Sequence, residues 1–156
     1  MTPTVLTPYL MVDDASAAID FYTRAFGAAE MMRLVAGDGR IGHAELRVGE
    51  ATFMLADEHP EQVPNMRGPR TVGVTTVSLH LSVPDVDAVY AQAVAAGATA
   101  ERPVADQPYG ERTRVLVDPF GHRWFIATPI EQLPDEEMRR RMAGGGSTLS
   151  APDPPS

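Results

Sequence analysis

The sequence contains no cysteine among its 156 residues. This absence excludes a disulfide framework, thiolate catalysis and zinc or iron–sulfur sites held by cysteine. Long apolar runs are missing too, because no stretch reaches the roughly eighteen apolar residues of a membrane span. The first residues lack the basic and apolar segments of a signal peptide. We therefore expect a cytoplasmic protein with no membrane partner.

Basic residues are few: 13 Lys and Arg stand against 21 Asp and Glu, which gives a formal net charge of -8. Such a charge repels phosphate backbones and anionic lipids, so we expect no nucleic-acid partner. Hydrophobic residues make up 44% of the chain, enough for one core at this length. The composition predicts one globular domain.

Two segments repeat one pattern: PYLMVDDASAAIDFYTRAFGAAE at 8–30 and LHLSVPDVDAVYAQAVAAGATAE at 79–101. Each begins with a short strand and continues through an acidic helix start, an amphipathic helix and a terminal glycine. Alternating strands follow in both halves, as IGHAELRVGEATFMLAD and ERTRVLVDPFGHRWFIAT. An offset of 71 residues aligns the halves, for example Met54 with Phe125. This self-similarity indicates a duplication.

The duplication predicts an α+β fold of two βαβββ modules at 5–60 and 76–130, whose curved mixed or antiparallel sheets enclose a cavity. Together the modules form a single domain, 5–130. The Pro- and Gly-rich segment EHPEQVPNMRGPRTVG connects them. A short C-terminal helix is expected at 131–143, because acidic residues open this segment and arginines close it. The last residues, 144–156, are almost without apolar side chains, which predicts a disordered tail.

Period-two alternation assigns the strand faces. Apolar residues face the helices, and polar ones, such as His43 and Glu45, face away. A sheet face that mixes apolar walls with a few convergent polar groups is typical of a ligand cavity. We expect eight side chains to converge on one cavity: Tyr9, His43, Glu45, Met54, Ser78, His80, Arg112 and Phe125.

The loop VADQPYGERTR lies at the entry to the last hairpin. Gln107, Tyr109 and Arg112 provide an amide, an aromatic ring and a planar cation, which together can hold an anionic or carbonyl-bearing ligand. We expect Gln107 and Tyr109 to cap the cavity. The alternative is that Arg112 pairs with a nearby acid, such as Asp106 or Glu111.

The duplicated module, the FYTRAFGA helix and the DPFGHRW hairpin resemble the vicinal oxygen chelate superfamily, which includes glyoxalase I, extradiol dioxygenases and the bleomycin and fosfomycin resistance proteins. IGHAELRVGEATFMLADE, VSLHLSVPDVDAVYAQAVAAGA and QPYGERTRVLVDPFGHRWFIAT resemble its PhnB-like branch. The resemblance covers about residues 5–130 and implies the glyoxalase/bleomycin-resistance fold. It also implies a homodimer, because open sheet faces in this superfamily are usually closed by pairing modules within or between chains.

Metal-binding members of the superfamily use four positions, which the resemblance places at Thr7, Met54, Ser78 and Phe125. None is a histidine or a carboxylate, so the resemblance implies that the metal site is lost and that no cofactor is required. A displaced site with two histidines and one carboxylate, from His43, Glu45 and His80, remains an alternative.

Three function classes follow. The first is a metal-free protein that binds a small organic metabolite or a drug-like ligand, as in antibiotic resistance. The second is a lyase or isomerase of glyoxalase type, in which His80, His43 and Glu45 act as acid–base groups or hold a displaced metal. The third is a structural or regulatory partner protein.

Overall fold

The computed structural model describes residues 1–144, except the side chains of Pro103 and Val104. The predicted tail at 144–156 lies outside this range apart from its first residue. The elements in chain order are β1 (Tyr9–Val12), α1 (Ala15–Phe26), β2 (Ala29–Val35), β3 (Ile41–Val48), β4 (Ala51–Asp57), α2 (Pro69–Val72), β5 (Ser78–Ser82), α3 (Val86–Ala96), β6 (Thr99–Asp106), β7 (Glu111–Val117), β8 (Arg123–Pro129) and α4 (Asp135–Gly144).

The strands form two four-stranded sheets with the same topology. The first has the order β1-β4-β3-β2 and the second β5-β8-β7-β6. In each sheet the first strand pairs parallel with the last, and the other pairs are antiparallel. We call β1 to β4 with α1 module 1, and β5 to β8 with α3 module 2. The predicted α+β fold of duplicated βαβββ units is confirmed.

The start of each long helix is fixed in the same way. Asp14 caps α1 and Asp85 caps α3, each accepting from the amide three residues on. The first amide of α1 donates to Asp57 Oδ1 at 2.7 Å, and that of α3 donates to Thr128 Oγ1 at 2.8 Å. Both acceptors lie at the end of the last strand of their module. The same hydrogen bond therefore joins strand to helix at equivalent points of the two modules.

The core lies where the two modules meet. Helices α1 and α3 pack against each other, and aromatic rings join the halves: Tyr22 lies 5.6 Å and Phe53 5.8 Å from Trp124, measured between ring centres. Phe21 lies 6.2 Å from Phe120. Because Phe53 and Trp124 lie on the helix sides of β4 and β8, both sheets turn these sides toward one shared core.

A buried carboxylate holds the modules together. The hydroxyl of Tyr22 donates to Asp118 Oδ2 at 2.5 Å, and the indole of Trp124 donates to the same oxygen at 2.9 Å. The backbone amides of Phe120 and His122 donate to the other oxygen. Burial and the neighbouring carboxylate raise the pKa of Tyr22 well above its usual value. Four donors therefore converge on Asp118, one of them from module 1.

The C-terminal helix is tied to module 2. Arg141 pairs with Glu131 at 2.7 Å and donates to the Pro108 carbonyl at 3.5 Å. In residues 1–144 every helix is too short or too polar to cross a membrane.

Candidate functional site

The first candidate surface is the side of the module 1 sheet that faces away from α1; we call it the module 1 face. Strand register places one row of side chains across all four strands and a second row beside it. The first row is Met32, Glu45, Met54 and Tyr9, and the second contains Leu34 and His43. Tyr9, Met32 and Leu34 are 41%, 43% and 57% exposed, so this face is a largely open apolar surface.

Three polar groups form a hydrogen-bond chain in the middle of this face. His43 Nδ1 lies 3.2 Å from the Tyr9 hydroxyl, and His43 Nε2 lies 3.2 Å from Glu45 Oε1. A neutral imidazole has one N–H, so both contacts are satisfied when Tyr9 donates to Nδ1 and Nε2–H donates to Glu45. Partial burial raises the pKa of Tyr9.

A cavity of about 260 Å³ adjoins the same face. It lies beneath the segment between the modules and includes Tyr9, His59, Val63 and Met66 in its lining. His59 Nδ1–H donates to the Asp57 carbonyl at 2.8 Å. Sequence reasoning treated this segment only as a linker, and apolar residues among its polar neighbours were the signal that it contributes a wall.

The equivalent surface of the second sheet, the module 2 face, carries different chemistry. Ser78 and His80 lie on β5, and His80 is in register with Phe125 on β8. His80 Nε2 lies 3.4 Å from Glu111 Oε2, and the histidine side chain is half exposed. Glu111 was named from the sequence only as a possible partner of Arg112. Glu111 lies two residues before Thr113 on an alternating strand, so both side chains lie on the same face. This shared face was the available signal.

Arg112 lies on the opposite side of the sheet from His80, which corrects the predicted face. Arg112 Nε donates to Asp87 at 3.1 Å, and its Nη1 donates to Asp106 at 2.9 Å. Arg114 lies over the ring of Tyr90, 3.9 Å from its centre. Asp87 and Tyr90 belong to α3, so this helix offers charge and an aromatic surface to arginines. The arginines hold the pKa of Asp87 below its usual value.

The two predicted capping residues lie in the turn between β6 and β7. The backbone amide of Gln107 donates to the backbone carbonyl of Glu111 at 2.6 Å, and the backbone amide of Gly110 donates to the backbone carbonyl of Gln107. Tyr109 is 38% exposed. Both residues therefore lie at the Glu111 end of module 2.

The predicted set divides into two groups. Module 1 holds Tyr9, His43, Glu45 and Met54, and module 2 holds Ser78, His80 and Phe125 on its outer face. The two groups lie on different sheets, so their convergence on one cavity, by pairing of modules within or between chains, stays a prediction.

The donor chemistry does not fit a divalent metal. Of the four positions implied by the resemblance, Met54 and Phe125 provide a thioether and a phenyl ring, and Thr7 and Ser78 provide neutral hydroxyls. Within residues 1–144, His, Asp and Glu side chains form no group of three or more that could hold an ion. His43 and Glu45 are neighbours, whereas His80 lies with Glu111 on the other sheet.

The family model for the glyoxalase/bleomycin resistance protein/dioxygenase superfamily matches residues 4–126. The chain belongs to this superfamily. An uncharacterised protein of Mycobacterium bovis is 42% identical over 146 residues, which cover 90% of this chain and 93% of that protein.

Solved structures share the fold. TioX from Micromonospora sp. ML1 is 28% identical with a TM-score of 0.64, over 81% of this chain and 99% of that chain. The PhnB protein of Bacillus cereus is 21% identical with a TM-score of 0.60, over 80% of this chain and 99% of that one. At this identity the PhnB likeness extends to the fold alone, so the PhnB-like branch stays a prediction.

Proposed function

We propose that the chain is a small-molecule binding protein whose ligand lies on the module 1 face. The observation that carries the proposal is the chain of Tyr9, His43 and Glu45 at the centre of an apolar sheet surface. Methionine and leucine side chains provide adaptable apolar contact area, and the three polar groups fix the orientation of a bound molecule. The net charge of -8 favours a neutral or cationic ligand.

The binding protein is a homodimer in the cytoplasm. Within residues 1–144, Met32 and Leu34 on the module 1 face are exposed, and exposed apolar surfaces of this kind are typical of interaction sites. A twofold dimer that places this face against the module 2 face of the partner creates two identical cavities. In each, the Tyr9, His43 and Glu45 chain is opposite a second copy of the His80 and Glu111 pair, which brings together the predicted site residues other than Arg112.

The test compares two neighbouring residues of β2. Leu34 is in register with His43 and is 57% exposed, whereas Val35 is in register with the buried Ile41 and is 60% exposed. Isothermal titration calorimetry with bleomycin, a cationic drug, and with anionic anilinonaphthalenesulfonate measures binding. Leu34→Ser should weaken bleomycin by about 1–2 kcal/mol, the value of a lost apolar contact. Val35→Ser is the control. Absence of binding by both probes, or equal loss in both variants, contradicts the proposal.

A lyase or isomerase is the second candidate, because Glu45 orients His43 as a carboxylate orients a general base. A base of this kind exchanges the proton next to a ligand carbonyl with solvent. Incubation of the protein with methylglyoxal and glutathione in deuterium oxide, followed by NMR, tests it. Deuterium incorporation that His43→Gln abolishes supports catalysis, and incorporation at the uncatalysed rate leaves binding alone.

A further inference from the structure

We propose that module 2 contains a polar subsite at the His80–Glu111 contact, which opens when this contact breaks and takes a neutral group with a hydrogen-bond donor and an acceptor side by side, such as a primary carboxamide. The proposal deepens the binding function above and rests on it. Neither Glu111 nor Thr113 belongs to the site residues expected from the sequence.

Strand register defines what lies between His80 and Glu111. On the module 2 face, His80 pairs with Phe125 in one row, and Ala127 pairs with Thr113 in the next. Glu111 lies one row further along β7. A side-chain contact from His80 on β5 to Glu111 on β7 must therefore cross β8 at Ala127. Since Ala127 is fully buried, the bridge closes over this small side chain, and a ligand can reach it only when the bridge opens.

An unsatisfied hydroxyl lies beside this bridge. Thr113 is only 5% exposed, and its Oγ1 has no hydrogen-bond partner in the part of the chain that the structure describes. Ala127 beside it is fully buried. A buried hydroxyl without a partner lowers the stability of the free protein, so such groups are rare unless something else binds them. Thr113 is on the same side of β7 as Glu111, so its side chain lies on the side of the sheet where the bridge is.

The bridge is weak enough to open. The His80 to Glu111 distance of 3.4 Å is at the long limit for a hydrogen bond, and His80 is half exposed. A group that replaces it must accept from the His80 side and donate to Glu111, and Thr113 can satisfy the remaining acceptor or donor. A carboxamide carries both functions, whereas a carboxylate only accepts and would lie against Glu111. Phe125, which is half-buried, provides an apolar border for an attached ring.

Benzamide is the probe, and benzoate is the matched anion. Titration of isotope-labelled protein, followed by amide chemical shifts, should show benzamide binding at β5, β7 and β8 and much weaker benzoate binding. Thr113→Val removes the hydroxyl and keeps the shape. We expect it to weaken benzamide at least about fivefold and to raise Tm by about 2–4 °C, because an unpaired buried group is removed. Thr113→Ser should retain benzamide binding.

Thr128→Val is the control, because the Thr128 hydroxyl is already bonded to the first amide of α3 and to the Val83 carbonyl. It should lower Tm and leave benzamide affinity unchanged. The subsite is refuted if Thr113→Val lowers Tm, if it leaves benzamide affinity unchanged, or if benzoate binds as tightly as benzamide. Bleomycin binding is measured in the same Thr113→Val protein. If the wild type binds bleomycin in a Leu34-dependent way but does not bind benzamide, the subsite alone is refuted. If the wild type binds neither bleomycin nor anilinonaphthalenesulfonate, the proposed function is refuted.

Discussion

The two modules share a topology but differ in what they bury and what they expose. Helix α1 buries six side chains, including Phe21 and Tyr22, whereas α3 buries only Val86 and Ala93. The module 1 face is apolar around one histidine, and the module 2 face carries serine, threonine and an acid–histidine pair. The duplicated backbone therefore supports a division of roles: module 1 supplies the core and an apolar platform, and module 2 supplies polar contacts and the Asp118 carboxylate.

The largest expected effect concerns the unequal helices. Phe21 is almost fully buried, whereas its equivalent 71 residues later, Gln92, is exposed and donates to the Arg24 carbonyl. Phe21→Ala should lower the free energy of unfolding by about 3–5 kcal/mol because it leaves a cavity in the shared core. Gln92→Ala should cost about 0.5–1.5 kcal/mol, the value of one hydrogen bond. Urea denaturation measures both, and similar losses would mean that the modules share the core equally.

The second prediction concerns the bond that joins the modules. Tyr22→Phe removes the module 1 donor to Asp118 and should lower the free energy of unfolding by about 1–3 kcal/mol. The folded-state pKa of Tyr22 lies well above that of an unfolded tyrosine. Its stabilising contribution is therefore complete below about pH 10 and is lost as pH rises above that value.

Urea midpoints at pH 8 and pH 11 measure this effect. The wild type should lose more stability between the two pH values than Tyr22→Phe. Equal losses would show that the hydroxyl does not link folding to alkaline pH.

The third prediction tests whether the exposed module 1 face closes against a partner. Leu34→Arg should raise the dimer dissociation constant at least about tenfold, or about 1.4 kcal/mol, because a charge then enters an apolar contact. Val35→Arg, on the other side of the same strand, should leave it unchanged. Sedimentation equilibrium measures both. A wild type that is monomeric at micromolar concentration refutes the dimer.

The smallest effect is expected where α3 meets the arginines of β7. Arg114→Met removes both the contact with the Tyr90 ring and the pair with Asp87, 3.1 Å apart, and should cost about 0.5–1 kcal/mol. Arg24→Met on α1 removes only an exposed pair with Asp20, 3.1 Å apart, and should cost about 0.3–0.5 kcal/mol. Thermal denaturation of both variants measures the difference between these stability losses. Equal shifts would assign no stability to the aromatic contact.

The sequence was sufficient for the fold and for most strand faces. Leu10 and Val12 are buried and Tyr9 is exposed, as alternation predicts, and Ala44 and Leu46 are buried where His43 and Glu45 are not. These assignments succeed because the helix side of the module 1 sheet is made of apolar side chains that pack against the apolar stripe of α1.

Arg112 shows where alternation fails. Leu46 pairs with Phe53, and Leu116 pairs with Trp124. The hairpin of module 2 is thus one residue longer, so an offset of 71 residues holds for β8 and an offset of 70 for β7. A shift of one residue exchanges the two faces of a strand. Polarity alone could not correct this, because Asp87 and Tyr90 make the helix side of β7 suitable for arginine.

Packing between the modules was also beyond the sequence. Both helices carry apolar stripes, which indicates that each covers a sheet, but not that they cover each other. The deciding contacts involve Phe120 and Trp124, which lie against α1 of the other module. Such contacts join residues about 100 positions apart, and local patterns contain no information about them.

The longer hairpin of module 2 also limits how the halves can be recombined. A chimera in which the β3–β4 hairpin replaces β7–β8 would lack one residue and the Asp118 carboxylate. It would also place Ala44 at the position of Arg114, so Tyr90 of α3 would lose its arginine, and the hydroxyl of Tyr22 would have no acceptor. Protein engineering by module exchange must therefore move a hairpin together with the helix it packs on, although the two halves superficially look interchangeable.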